Sequence, residues 1–201
     1  MVELKVLQAV RLKGRVTLDA LSATVDEDAD AVTTELGRLT LGGQLTGDKL
    51  LKMTDEGRAR LGELLADERA DIDGDVLAAA HDDFRRVNTT FKALVSDWQL
   101  RDGQPNTHED LDYDAGVLGR LPDVHTQVLS ILDRVVVEVP RLVVYRRKLD
   151  EALAKINDGE TSWLTRPIID SYHTVWFELH EELIGAAGLT RADEAEAGHA
   201  G

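Results

Sequence analysis

Cysteine is absent from the 201 residues. That excludes disulfides, thiolate nucleophiles, Cys-ligated zinc and iron–sulfur clusters, so a metal would have to sit on histidine and carboxylate. No run of about 18 apolar residues occurs, which leaves no candidate membrane-spanning helix. Residues 1–15 lack a basic segment followed by a long apolar stretch. No signal peptide is expected, and a cytoplasmic address is. Positive charge is the other shortage. Lys and Arg total 23 against 38 Asp and Glu, a net charge of −15. That balance favours solubility and argues against sequence-blind coating of nucleic acid, while leaving room for a local basic face. Arg exceeds Lys, 16 to 7, which reads as a GC-rich coding bias, with salt adaptation the weaker alternative. Hydrophobic residues make up 43% of the chain, too many for a disordered one.

Two regimes divide the chain: residues 1–70 with short helical patterns and one hairpin-like stretch, and residues 71–190 with long helical patterns only. Residues 70–75, Ala-Asp-Ile-Asp-Gly-Asp, read as the joint. Residues 191–201 are rich in Ala, Glu and Gly without an apolar period and read as a flexible tail.

In the first regime, residues 2–12 form an apolar helical pattern broken at Lys13-Gly14-Arg15. Thr17 is a candidate N-cap for a second helix, with Leu18, Leu21 and Val25 as its core face. Asp26-Glu27-Asp28 makes a polar turn. A third helix over residues 29–41 turns Val32, Leu36 and Leu39 inward and stops at Gly42-Gly43. Two extended runs flank Gly47-Asp48, a hairpin signal suited to a two-residue type II′ turn. Thr54 caps a fourth helix over residues 55–69.

Helix, helix-turn-helix, hairpin and helix, in that order, predict a winged helix-turn-helix. The segments TLDALSATV, DADAVTTELGRLTLGGQL and LLKMTDEGRARLGELL resemble the MarR-like winged-helix regulators over about the first 70 residues. The resemblance implies a third helix that enters the DNA major groove, exposing Asp30, Thr33, Thr34, Gly37 and Arg38. Thr33 and Thr34 would touch thymine methyls or base edges. Arg38 would read a base. Lys49 and Lys52 on the hairpin would grip a phosphate or reach into the minor groove, and Lys13 and Arg15 would grip the backbone beside them. The module nevertheless carries 10 basic against 13 acidic residues. Asp26, Glu27, Asp28 and Asp30 crowd the start of the third helix, where its positive dipole end would otherwise favour phosphate. Two readings therefore stand: a DNA-binding regulator, or an accessory protein that uses an acidic winged helix to dock on another protein.

The second regime predicts an antiparallel bundle of about four helices, making the fold mainly α. Expected bounds are residues 73–100, 112–139 with Pro122 a candidate bend, 141–156, and 161–189 with Pro167 in the first turns. Residues 101–111 read as a polar loop. Within it, Asp110, Asp112 and Asp114 resemble the start of a calcium loop but lack its glycine and terminal glutamate. Asp112 or Asp114 is expected to cap the next helix, with His108 solvated. Apolar stripes run through Leu118, Leu121, Val128, Leu132, Val135 and Val136, and through Val143, Val144, Leu149 and Leu153. On the last helix, Asp170, His173, Phe177, His180 and Glu181 follow 3–4 spacing. Of these, Asp170, His173 and His180, with Trp98, Tyr145 and Trp176, are candidates to line a small-molecule effector pocket. The alternatives are a buried hydrogen-bonded network, with His173 on Asp170 and Arg141, Arg146 or Arg147 neutralising the acids, or a metal site. No cofactor is expected. A phosphate loop, dinucleotide fingerprint and nucleophile elbow are all missing, so an enzyme is not expected. A homodimer is, because one small module buries little against DNA and two on a symmetric operator add their contacts.

Overall fold

In the computed structural model, residues 1–189 are described, apart from the side chain of Ala23. The proposed tail over residues 191–201 lies outside them. The fold is mainly helical with very little strand. No helix among the described residues is long and apolar enough to cross a membrane. The chain divides into two compact units, Met1–Ile72 and a second that begins at Asp73.

The first unit runs α1 (Val2–Lys13), α2 (Leu18–Val25), α3 (Ala29–Leu41), β1 (Leu45–Thr46), β2 (Lys52–Met53) and α4 (Asp55–Ala70). Each start has a chemical cause. The Thr17 hydroxyl accepts from the Ala20 amide, Asp28 accepts from Asp30 and Ala31, and Thr54 accepts from Gly57, each satisfying orphan donors of a first turn. Leu7, Val10, Leu21, Val32, Leu36, Leu39, Leu45 and Leu61 meet in one core. Leu18, expected inside, is 42% exposed. It opens α2 beside its cap, and the helical period turns Leu21 and Val25 inward instead.

The hairpin differs from a two-residue turn. Leu45 pairs with Met53 and Thr46 with Lys52, leaving residues 47–51 as the loop. The loop is long because Leu51 is drawn inward. Leu51 is 7% exposed, and it exchanges both backbone hydrogen bonds with Val16, at 2.9 and 3.2 Å. Val16 thus forms an isolated bridge on the far side of β2. Gly47 adopts φ 105°, and a Cβ there would lie 2.2 Å from the Leu50 carbonyl oxygen, so the loop requires glycine.

The second unit runs α5 (Gly74–Gln99), β3 (Leu100–Arg101), β4 (Gln104–Pro105), α6 (Leu111–Leu118), α7 (Leu121–Glu138), a 3-10 turn (Pro140–Val143), α8 (Val144–Asn157), a second 3-10 turn (Thr161–Trp163) and α9 (Tyr172–Ala186). Helix α5 packs on α7 and α9, and α8 packs on α7 and α9, so four helices close a ring. Phe84, Phe91, Leu94, Leu121, Leu132, Leu142, Leu149 and Tyr172 fill it.

The second unit departs from the sequence expectation at four places. The span read as one helix over residues 112–139 is two, α6 and α7, with Gly119-Arg120 between them and Pro122 in the first turn of α7. Proline lacks the N–H that would continue the ladder. The helix expected from residue 161 begins at Tyr172, because Pro167 is followed by Ile168 at φ 76°. Part of the polar loop is a hairpin, Arg101 opposite Gln104, turning on Asp102 and Gly103 with φ 52° and 76°. Val143 also leaves its expected stripe: it is 53% exposed, and Leu142 is buried in its place.

Candidate functional site

The bridge between Val16 and Leu51 places charge as well as apolar bulk. Val16 and Leu51 are buried, and Arg15 and Lys52 flank them in sequence, with Lys49 in the adjoining loop. All three are exposed, and their side chains have no hydrogen-bond or ion-pair partner among the described residues.

Helix α3 presents Thr33, Thr34, Gly37 and Arg38 to solvent. Arg38 is held from two sides. It donates to Glu35 through Nε at 3.0 Å and Nη2 at 2.6 Å, and its Nη2 lies 2.8 Å from Glu3 on α1. Arg60 on α4 donates to the same Glu3 through Nε at 2.9 Å. Hydrogen bonds from Arg60, then Arg38, hold the Glu3 carboxyl down at about 2. Arg38 therefore ties α3 to α1, a role its spacing did not reveal. Asp28 caps α3, and exposed Asp26, Asp28 and Asp30 surround that end.

In the second unit a groove of about 250 Å³ lies between α5 and α9. Its lining includes Asn88, Phe91, Lys92 and Gln99 from α5, and His173, Trp176, Phe177 and His180 from α9. Phe91 and Trp176 pack as a tilted pair with ring centroids 4.3 Å apart. The Trp176 indole N–H donates to Asn88 Oδ1 at 2.8 Å. Burial lowers the His173 pKa, so its ring is neutral near pH 7.

Three of the six effector-site candidates thus meet in one place: His173, Trp176 and His180. Three do not. Trp98 packs on His108, centroids 4.3 Å apart. Tyr145 is buried and its hydroxyl donates to Glu182 at 3.4 Å; burial and the Glu182 charge push its pKa up. Asp170 precedes α9 and lies 3.1 Å from Lys148 Nζ. The expected pairing of Asp170 with His173 is replaced by that contact, since residue 170 is outside the helix. The acids of α9 meet α8 and the turn before it instead: Arg141 donates to Glu182 at 2.6 Å, and Glu178 lies 3.6 Å from Lys148. Arg146 pairs with Asp133 and Arg147 with Glu151.

Nor is His108 merely solvated. Its Nδ1 is 2.9 Å from the buried carboxylate of Asp114, which also accepts from Asn106. Asp110, rather than Asp112 or Asp114, caps α6 by accepting from the Tyr113 amide. Among the described residues, no group of three His, Asp or Glu side chains is arranged to hold a metal ion.

Comparison with protein-family models, with curated proteins and with solved structures finds no match.

Proposed function

We propose that the first unit is a winged helix-turn-helix of MarR-like type and that the protein is a DNA-binding transcriptional regulator. One observation carries the reading. The Val16–Leu51 bridge joins the segment that follows Arg15 to the one that precedes Lys52, with Lys49 close in sequence: three exposed cations with no partner among the described residues, in a chain of net charge −15. Where most cations are engaged by neighbouring acids, a free set of this kind suits an external polyanion. The hairpin grips phosphate, and α3 offers Thr33 and Thr34 to base edges. Arg38 steadies α3 through Glu3 rather than serving as the main anchor. Two such modules act as a homodimer on a symmetric site, and the helical unit carries the effector response.

The test is fluorescence anisotropy on duplex DNA from upstream of the protein's own gene, against a scrambled duplex. Preferential binding that is lost in the combined Arg15→Gln, Lys49→Gln, Lys52→Gln variant supports the reading. Absence of binding at low salt overturns it.

The accessory reading has an observation of its own. Leu18 and Leu41 are 42% and 92% exposed on α2 and α3, in a unit whose α3 starts among acids. Exposed leucine on an acidic module suits a basic, partly apolar protein surface. A partner retained by the triple variant but lost on Leu41→Asp would favour docking.

A further inference from the structure

The groove between α5 and α9 has a chemistry of its own. The chain holds 38 acidic residues, yet none is among the groove's lining residues. The charged side chain there is Lys92, exposed and with no hydrogen-bond or ion-pair partner among the described residues. One turn earlier on the same face of α5 stands Asn88, 8% exposed. Indole N–H can only donate, so Trp176 fixes Asn88 with Oδ1 toward the ring. That leaves the amide NH2 as a donor at the groove, and it makes no hydrogen bond among the described residues. Apolar walls come from Phe91 and Trp176, with Phe177, 46% exposed, at the surface. The volume, about 250 Å³, falls below the roughly 300–1,000 Å³ of sites for drug-sized molecules. A small ligand fits.

We infer that this groove binds a small organic anion with a flat apolar body. Its carboxylate meets the ammonium of Lys92 and the amide N–H of Asn88, and its body lies against Phe91, Trp176 and Phe177. A neutral flat molecule gains only the second half of these contacts. A cationic one is repelled by Lys92. As an effector site the groove rests on the regulator reading above; its occupancy does not, and is measured without DNA, so the two fail separately.

The experiment is calorimetric titration of the full chain with naphthoate and, separately, with naphthamide, its uncharged counterpart. Naphthoate should saturate one site per chain and bind at least about tenfold more tightly than naphthamide, the factor expected of one charge-assisted hydrogen bond. Lys92→Gln, at an exposed position, should erase that difference while leaving naphthamide unchanged. Phe177→Ala should weaken both probes. Absence of saturable naphthoate binding at millimolar concentration overturns the inference. Equal affinity for the two probes, or a naphthoate affinity indifferent to Lys92→Gln, overturns it as well, because the groove would then be apolar without being an anion site.

Discussion

Arg38 on α3 lies 2.8 Å from Glu3 on α1, and Glu3 also accepts from Arg60 on α4. One carboxylate thus joins three helices of the first unit at its surface. The Glu3 side chain is 19% exposed and Arg38 is 52% exposed, so screening keeps each interaction modest. The carboxyl is held at about 2, below its ordinary 4.5. A depressed carboxylate contributes stability in full above its unfolded value and loses it as pH falls through the folded value. Glu3→Gln should therefore lower stability by about 1 kcal/mol at neutral pH, with the difference from wild type shrinking between pH 4.5 and 2. Urea melts at several pH values check this. A difference that grows toward pH 2 would contradict it.

Arg38 and Lys52 should separate in the same spirit. Arg38→Gln removes a clasp and should cost stability more than DNA affinity. Lys52→Gln removes a free cation and should do the reverse. Thermal melts beside anisotropy titrations measure both quantities. Arg38→Gln proteins of unchanged stability and abolished binding would return Arg38 to direct base reading.

Gly47→Ala should disorder the hairpin loop. The residue sits at φ 105°, and the new Cβ would meet the Leu50 carbonyl at 2.2 Å. The strain is on the order of 1–3 kcal/mol, and it displaces the turn that leads to Lys49 and Leu51. Weaker DNA binding with a retained helical circular dichroism signal is the expected result.

In the second unit, Glu182→Ala should be the costlier change. Glu182 and Arg141 are both 4% exposed in their side chains and lie 2.6 Å apart, and Tyr145 donates to the same carboxylate. Removing one member of a buried pair costs about 3–5 kcal/mol. A denaturant midpoint close to that of wild type would show the pair to be dispensable.

Much of the first unit is legible in the sequence because its signals are local. Thr17, Asp28 and Thr54 announce helix starts through their own side chains, and α3 occupies residues 29–41 as its period implies. The bridge is not legible. Val16 reads as the opening of a helix, and only its pairing with Leu51, 35 positions away, makes it a strand residue. That pairing also turns a two-residue turn into a longer loop. The reverse holds at Asp102-Gly103, where a strong two-residue hairpin signal lies inside what reads as loop.

In the second unit, helical spacing groups Asp170 with His173 only if Pro167 sits in the first turns of a continuous helix. Ile168 at φ 76° ends that possibility. His173, Trp176 and His180 do converge, since they lie within one helix. Lys92 and Asn88 enter the groove through the packing of α5 on α9. Spacing on α5 alone marks Asn88 only as a polar residue among apolar ones and does not single out Lys92.

The most direct measurement is the salt dependence of binding to the upstream duplex. Three free cations per module imply a slope of log K against log salt of about −2.7 per module and about twice that for a dimer. Lys52→Gln should make the dimer's slope shallower by about 1.8, because each module then neutralises one phosphate fewer. A slope near zero, or one that Lys52→Gln leaves unchanged, would contradict a hairpin that holds phosphate and with it the regulator reading.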